Sequence, residues 1–173
     1  MNNVAKKGES EQSGRSAKAG RTGFAISLKG RALRLLSGRE YSRAELERKL
    51  AVFEEVPGEL TKALDELQAK DFINEQRVVD SVLHRRSSKL GTARIKQELQ
   101  SKGLDAGAVL DAVELLKSTE LERAREVWRK KFGVAPENAS ERGKQMRFLM
   151  SRGFGSEAIR RVVSGADESF ETD

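Results

Sequence analysis

FINEQRVVDSVLHRRSSKLGTARIKQELQSKG, residues Phe72 to Gly103, holds the pattern that decides the fold. Val78, Val79, Val82 and Leu83 fall on one face of a helix of period about 3.6, while Arg77, Asp80, Ser81, His84 and Arg85 fall on the other. Such a helix buries one side and solvates the other. After a polar turn and Gly91, Ile95 and Leu99 recur four residues apart. Gly103 then supplies a helix stop, because a residue without a β-carbon enters the left-handed region at little cost, and Lys102 before it suits the negative end of the helix dipole. Asp105 is placed to cap a third segment that buries Val109, Ala112, Val113 and Leu116. The unit reads helix, turn, helix, turn, helix.

The same pattern lies on either side. Moving back 49 residues sets Ile95 on Leu46, Leu99 on Leu50, Val109 on Leu60, Val113 on Leu64 and Leu116 on Leu67. Moving forward 50 sets Leu99 on Leu149, Lys102-Gly103-Leu104 on Arg152-Gly153-Phe154, and Val113 on Val163. A period of this size marks stacked helical units, each too small to bury its apolar faces alone. The expected fold is therefore all-α, with three tandem three-helix repeats over 25–71, 72–117 and 118–165 in an elongated, curved stack. They are flanked by a disordered basic tail over 1–24 and a frayed acidic end over 166–173.

Outside the middle unit, the first helix is predicted from about Ser27 to Leu36. Ser42 and Glu45 have the spacing of a capping box that opens the second. Pro57 suits the first position of the third helix. Thr119 and Glu122 repeat the capping spacing before Leu121, Ala124, Val127 and Trp128. Ser140 is a candidate cap for a helix lined by Met146, Leu149 and Met150, and the last helix starts at Ser156 with Ala158, Ile159, Val162 and Val163.

Composition narrows the function. The 173 residues carry 33 Lys and Arg against 27 Asp and Glu, a net charge of +6, and a pI near 9.7, which points to an acidic partner, nucleic acid first. That charge is uneven: residues 40–70 sum to −3, 84–102 to +5 and 123–152 to +6. The later units are the ones that would draw a polyanion. Lys6, Lys7, Arg15, Lys18 and Arg21 of the tail would add loose phosphate contacts. There is no cysteine, so disulfides and thiolate ligands are excluded and a reducing interior fits. No apolar run is long enough to span a bilayer and no signal peptide is visible, so a cytoplasmic chain is expected.

Catalytic patterns are missing. The one histidine, His84, lies on a polar face, so neither a zinc site nor a nucleophile–base set can be assembled from the sequence. No phosphate-binding glycine loop is present, and Arg142-Gly143-Lys144 lacks its spacing. Trp128 and Tyr41 are able to stack on bases, but both fall at or near buried positions and read as core anchors. No enzyme activity, metal or cofactor is expected.

Three pieces in order resemble the RecX family of bacterial recombination regulators: Arg39-Glu40-Tyr41-Ser42 with Glu45, Leu46 and Leu50; the run from Gly91 through Ile95 and Leu99 to Lys102-Gly103; and FLMSRGFGSEAI from Phe148 to Ile159. The resemblance spans about Leu28 to Val163. It implies three tandem three-helix units that bind the RecA recombinase, lie in the groove of its filament on DNA, and restrain its ATPase and strand exchange, and so modulate recombinational repair and the SOS response. Where many relatives carry an aspartate and an aromatic residue entering the middle unit, this chain has Asn74-Glu75 and Val78.

The partners expected are the RecA filament and single- and double-stranded DNA, with no membrane and a monomer when free. Basic residues off the predicted core are the candidate contacts: Arg85, Arg86, Arg94, Lys96, Lys102, Arg147 and Arg152. The alternatives are a general DNA- or RNA-binding helical protein without a RecA partner, and a scaffold whose basic faces are incidental.

Overall fold

In the computed structural model, residues 26–165 are described; the tail read over 1–24 and the acidic end over 166–173 lie outside them. The described residues form α1 (Leu28–Leu36), α2 (Arg43–Leu50), a 3-10 turn (Ala51–Phe53), α3 (Glu59–Ala69), α4 (Glu75–Arg86), α5 (Thr92–Ser101), α6 (Ala106–Ser118), α7 (Glu120–Lys131), α8 (Ala139–Ser151) and α9 (Ser156–Ser164). Among them there is no strand, and no helix is long and apolar enough to cross a membrane. The all-helical repeat architecture expected from the period is the one observed.

Helices pack in threes because the apolar residues of each triplet converge. Ala32, Leu46, Leu50, Leu60, Leu64 and Leu67 make the first core, joined by Ile73 from the linker to α4. Val78, Val82, Ile95, Leu99, Val109, Val113 and Leu116 are central to the second. Trp128, Leu149, Phe154, Ile159, Val162 and Val163 are central to the third. Burying each such side chain contributes roughly 1.5–3 kcal/mol, yet a core of this size is small against the entropy of ordering three helices, so units of this kind depend on their neighbours. Trp128 sits in its core with the indole N–H donating to Gln145 Oε1 at 2.7 Å, which satisfies the one polar atom it buries.

Several helix starts follow the sequence. Ser27 caps α1. Ser42 and Glu45 form a reciprocal capping box on α2. Asp105 accepts from the Gly107 N–H at 2.7 Å. Asn74 caps α4 by accepting from the Arg77 N–H at 3.0 Å.

Other starts differ. Pro57 is not the first residue of α3: the chain bends at Gly58, φ 91°, and the Glu54 carboxylate accepts from the Gly58 and Leu60 N–H groups at 2.9 and 3.0 Å. Thr119 and Glu122 form no capping box. Thr119 is the single residue between α6 and α7, its hydroxyl donating back to the Leu116 carbonyl, while Glu122 turns outward to Arg125. Asn138 caps α8, accepting from the Glu141 N–H at 2.9 Å, and Ser140 lies inside the helix. Met150 is 58 % exposed, because the apolar stripe of α8 runs through Met146 and Leu149.

Candidate nucleic-acid interface

Units 1 and 2, and units 2 and 3, are joined by the same joint used twice. The start of each unit's middle helix sits on the turn that closes the middle helix of the next. At the first seam the Ser42 hydroxyl donates to the Lys102 carbonyl, and a β-carbon on Gly103 would come within 2.7 Å of Ala44 Cβ. At the second seam, Gly91, 49 residues after Ser42, donates its N–H to the Arg152 carbonyl at 2.9 Å, and Ala93 donates to the Gly153 carbonyl at 3.1 Å. Gly103 and Gly153 have φ of 69° and 85°. Their left-handed geometry turns the chain, and the missing β-carbons let Ala44 and Arg94 of the preceding unit approach. The sequence shows the first role only.

Each seam carries a polar lock. Burial would push the Glu45 carboxyl up, but hydrogen bonds from Arg39, the Ser42 N–H and Lys102 outweigh it and hold it down at about 2. Lys102 is 8 % exposed, with its ammonium 3.0 Å from Glu45 Oε1. At the second seam the half-buried Arg123 guanidinium donates to the carbonyls of Leu90 at 2.6 Å, Leu116 at 2.9 Å and Ser87 at 3.3 Å, and to Thr92 Oγ1 at 3.2 Å. Burial lowers its pKa from the usual arginine value. The Glu120 carboxylate accepts from the Thr92 N–H at 2.9 Å and so caps α5 from the neighbouring unit.

This second seam gathers the basic side chains. A groove of about 610 Å³ runs between α4, α5 and the end of α8, lined by the basic Arg86, Arg94 and Arg152, the acidic Glu98, and Leu90, Gln97, Ser101 and Ser151. On the other side of Arg152 a hollow of about 220 Å³ is lined by Lys89, Val127, Lys130, Lys131 and Phe148. Arg152 borders both, with its guanidinium 4.9 Å from the Phe148 ring centroid. Arg94 and Arg152 donate to the carbonyls of Ser151 and Lys89, which aims the two cations without neutralising them. Arg86 is paired with Glu98 at 2.9 Å. Cations spaced along a groove in this way can hold successive phosphates of a strand. Among the described residues no group of His, Asp or Glu converges to hold a metal.

Of the seven candidate residues, then, Arg86, Arg94 and Arg152 come together. Arg85 and Lys96 are exposed on α4 and α5 outside the groove lining, and Arg147 is exposed on α8. Lys102 is corrected: it is not off the core but buried in the first seam against Glu45. Sequence reasoning missed Lys89, Lys130 and Lys131. The Arg129-Lys130-Lys131 run was the signal that could have found the last two.

Comparison with known proteins agrees with this architecture. The family described as RecX, third three-helix domain, matches residues 118–163. A regulatory protein RecX of Leptothrix cholodnii is 53% identical over 148 residues, 86% of this chain and 94% of the relative. That of Herminiimonas arsenicoxydans is 44% identical over 83% of this chain and 95% of the relative. The crystal structure of RecX from Lactobacillus salivarius superposes with a TM-score of 0.68 at 21% identity, covering 82% of this chain and 95% of that one, and shares the fold.

Proposed function

The chain belongs to the RecX family of regulatory proteins, and on that premise we propose that it binds RecA recombinase filaments on DNA and inhibits their ATPase and strand exchange in the cytoplasm, modulating recombinational repair and the SOS response. The single observation that most supports this reading is the groove and the adjoining hollow at the second seam, which meet at Arg152 and present Arg94 on one side of it and Lys89, Lys130 and Lys131 on the other. Such a path suits a phosphate backbone running along a filament. The protein acts by occupancy: it holds neighbouring elements of the filament in place and performs no chemistry itself.

The test is the DNA-dependent ATPase of the cognate RecA on single-stranded DNA, titrated with this protein, beside a control with DNA in excess. Inhibition that survives excess DNA supports a filament target. Full recovery with added DNA, or no inhibition, removes it. The same groove also favours a second reading, plain nucleic-acid binding without RecA, which predicts equally tight, salt-sensitive binding to naked DNA.

A further inference from the structure

The first unit carries a site that the groove does not use. Residues 40–70 are net acidic, yet α1 and the end of α2 bring Arg31, Arg34 and Lys49 around a pocket of about 280 Å³ floored by Leu35, Leu50 and Phe53. The Arg31 guanidinium lies 4.0 Å over the Phe53 ring and is held by the Ile26 carbonyl at 3.1 Å. Phe53 remains 44 % exposed, and Val52 and Val56 beside it are 80 % and 55 % exposed. Arg34 and Lys49 take part in no ion pair among the described residues. A pocket with an apolar floor and unpaired cations at its rim selects a carboxylate-rich segment with one large apolar side chain.

We propose that this pocket binds residues 166–173 of a second copy of the chain, ADESFETD, with Phe170 on the floor and Asp167, Glu168 and Glu171 against Arg31, Arg34 and Lys49. That segment has four carboxylates, no cation and a single aromatic residue. The other undescribed segment, 1–25, leads directly to Ile26 at the pocket edge but is itself basic, so like charges repel it. The groove at the second seam matches the charge of 166–173 but not its phenylalanine. Phe148 there is already stacked edge-on against Phe132 at 5.2 Å and covered by Arg152. Hydrogen bonds join the first unit to the second and the second to the third; the occupant proposed for the pocket is the segment that follows the third unit of a neighbouring molecule. The contact is head-to-tail and heterologous, hence open-ended, and with so small an area it is weak and salt-sensitive. The chain is a monomer when dilute and associates when crowded. This inference does not depend on the function proposed above.

The test is sedimentation velocity of the full chain without nucleic acid, from about 10 µM to about 1 mM in low salt, the range where a contact this small is populated. The expected result is a sedimentation coefficient that rises with concentration. The rise weakens about tenfold in R34E/K49E and in F170A, and returns in a mixture of R34E/K49E with D167K/E168K/E171K. A wild-type chain that stays monomeric throughout overturns the proposal, as does association indifferent to R34E/K49E. Amide shifts between wild type and the lysine-bearing chain overturn it too if they centre on Lys130 and Arg152 instead of Arg34 and Lys49, or if they centre on Arg34 and Lys49 but persist unchanged on dilution.

Discussion

Gly91 and Gly153 meet backbone to backbone: a β-carbon on Gly91 would lie 2.2 Å from the Gly153 carbonyl carbon and 2.2 Å from the Phe154 nitrogen. Neither neighbour is a side chain that can swing away. Both belong to the turn that closes α8, and Gly153 itself is held by the Ala93 N–H.

Gly91→Ala should therefore push the second and third units apart or strain the joint, costing about 2–3 kcal/mol as overpacking against fixed backbone does. Urea denaturation measures it. A loss below about 0.5 kcal/mol would show that the seam yields freely, and the close approach would then have no energetic weight.

The Glu45 carboxylate makes stability depend on acid. Its pKa in the folded chain, about 2, lies below the ordinary value of 4.5, so the contribution is complete above pH 4.5 and is lost as pH falls towards 2. The contribution is on the order of 2 kcal/mol after allowing for partial solvation. Glu45→Gln removes this step and leaves the Lys102 ammonium buried without its carboxylate, so stability at neutral pH also falls. Thermal melts from pH 3 to 7 that run parallel for the two proteins would count against the assignment.

Lys102→Gln should cost stability, about 1–3 kcal/mol, and leave the salt dependence of nucleic-acid binding as it was. A basic residue that touches phosphate behaves the other way round, lowering the salt slope with little effect on folding. Fluorescence anisotropy with labelled single-stranded DNA at several salt concentrations separates the two.

Neutralising Lys89, Lys130 and Lys131 together is expected to reduce the salt slope on single-stranded DNA by about 2, since each lysine that pairs with a phosphate accounts for roughly 0.7 of it. The melting temperature should barely change, because Lys89, Lys130 and Lys131 are exposed. An unchanged slope would remove the hollow beside Arg152 from the interface.

Arg123→Lys is predicted to loosen the second seam by about 2 kcal/mol despite keeping the charge. One ammonium cannot serve the Leu90, Leu116 and Ser87 carbonyls and the Thr92 hydroxyl that the planar guanidinium reaches. Hydrogen exchange at Gly91 and Ala93, whose N–H groups cross the seam, should speed up selectively. Exchange that rises evenly over all helices would point to a general loss of stability.

Much of this molecule is legible residue by residue. The spacing of Val78, Val82, Ile95, Leu99, Val109 and Val113 determined three helices and their buried faces, because helix period and apolar burial are local and repetitive. The repeat of Lys102-Gly103 as Arg152-Gly153 marked where the middle helices stop. Caps were less legible. Glu54 displaced Pro57 at the start of α3, and Asn138 displaced Ser140 at α8, since several residues near a helix end are able to serve and the path of the incoming loop chooses among them.

What the sequence determined alone is the all-helical class, the period and the basic character of the later units. Only the tertiary structure decided which charges are free. Lys102 and Arg152 occupy equivalent places in the repeat, yet one is buried against Glu45 and the other borders an open groove. Their difference lies in the partner that docks from the preceding unit. At the first seam that partner includes a carboxylate one turn into α2. At the second, the position 49 residues after Glu45 is Arg94, which repels where Glu45 attracts. Electrostatic pairing is a property of distances between chain segments far apart in sequence, and these exist only once the units have stacked.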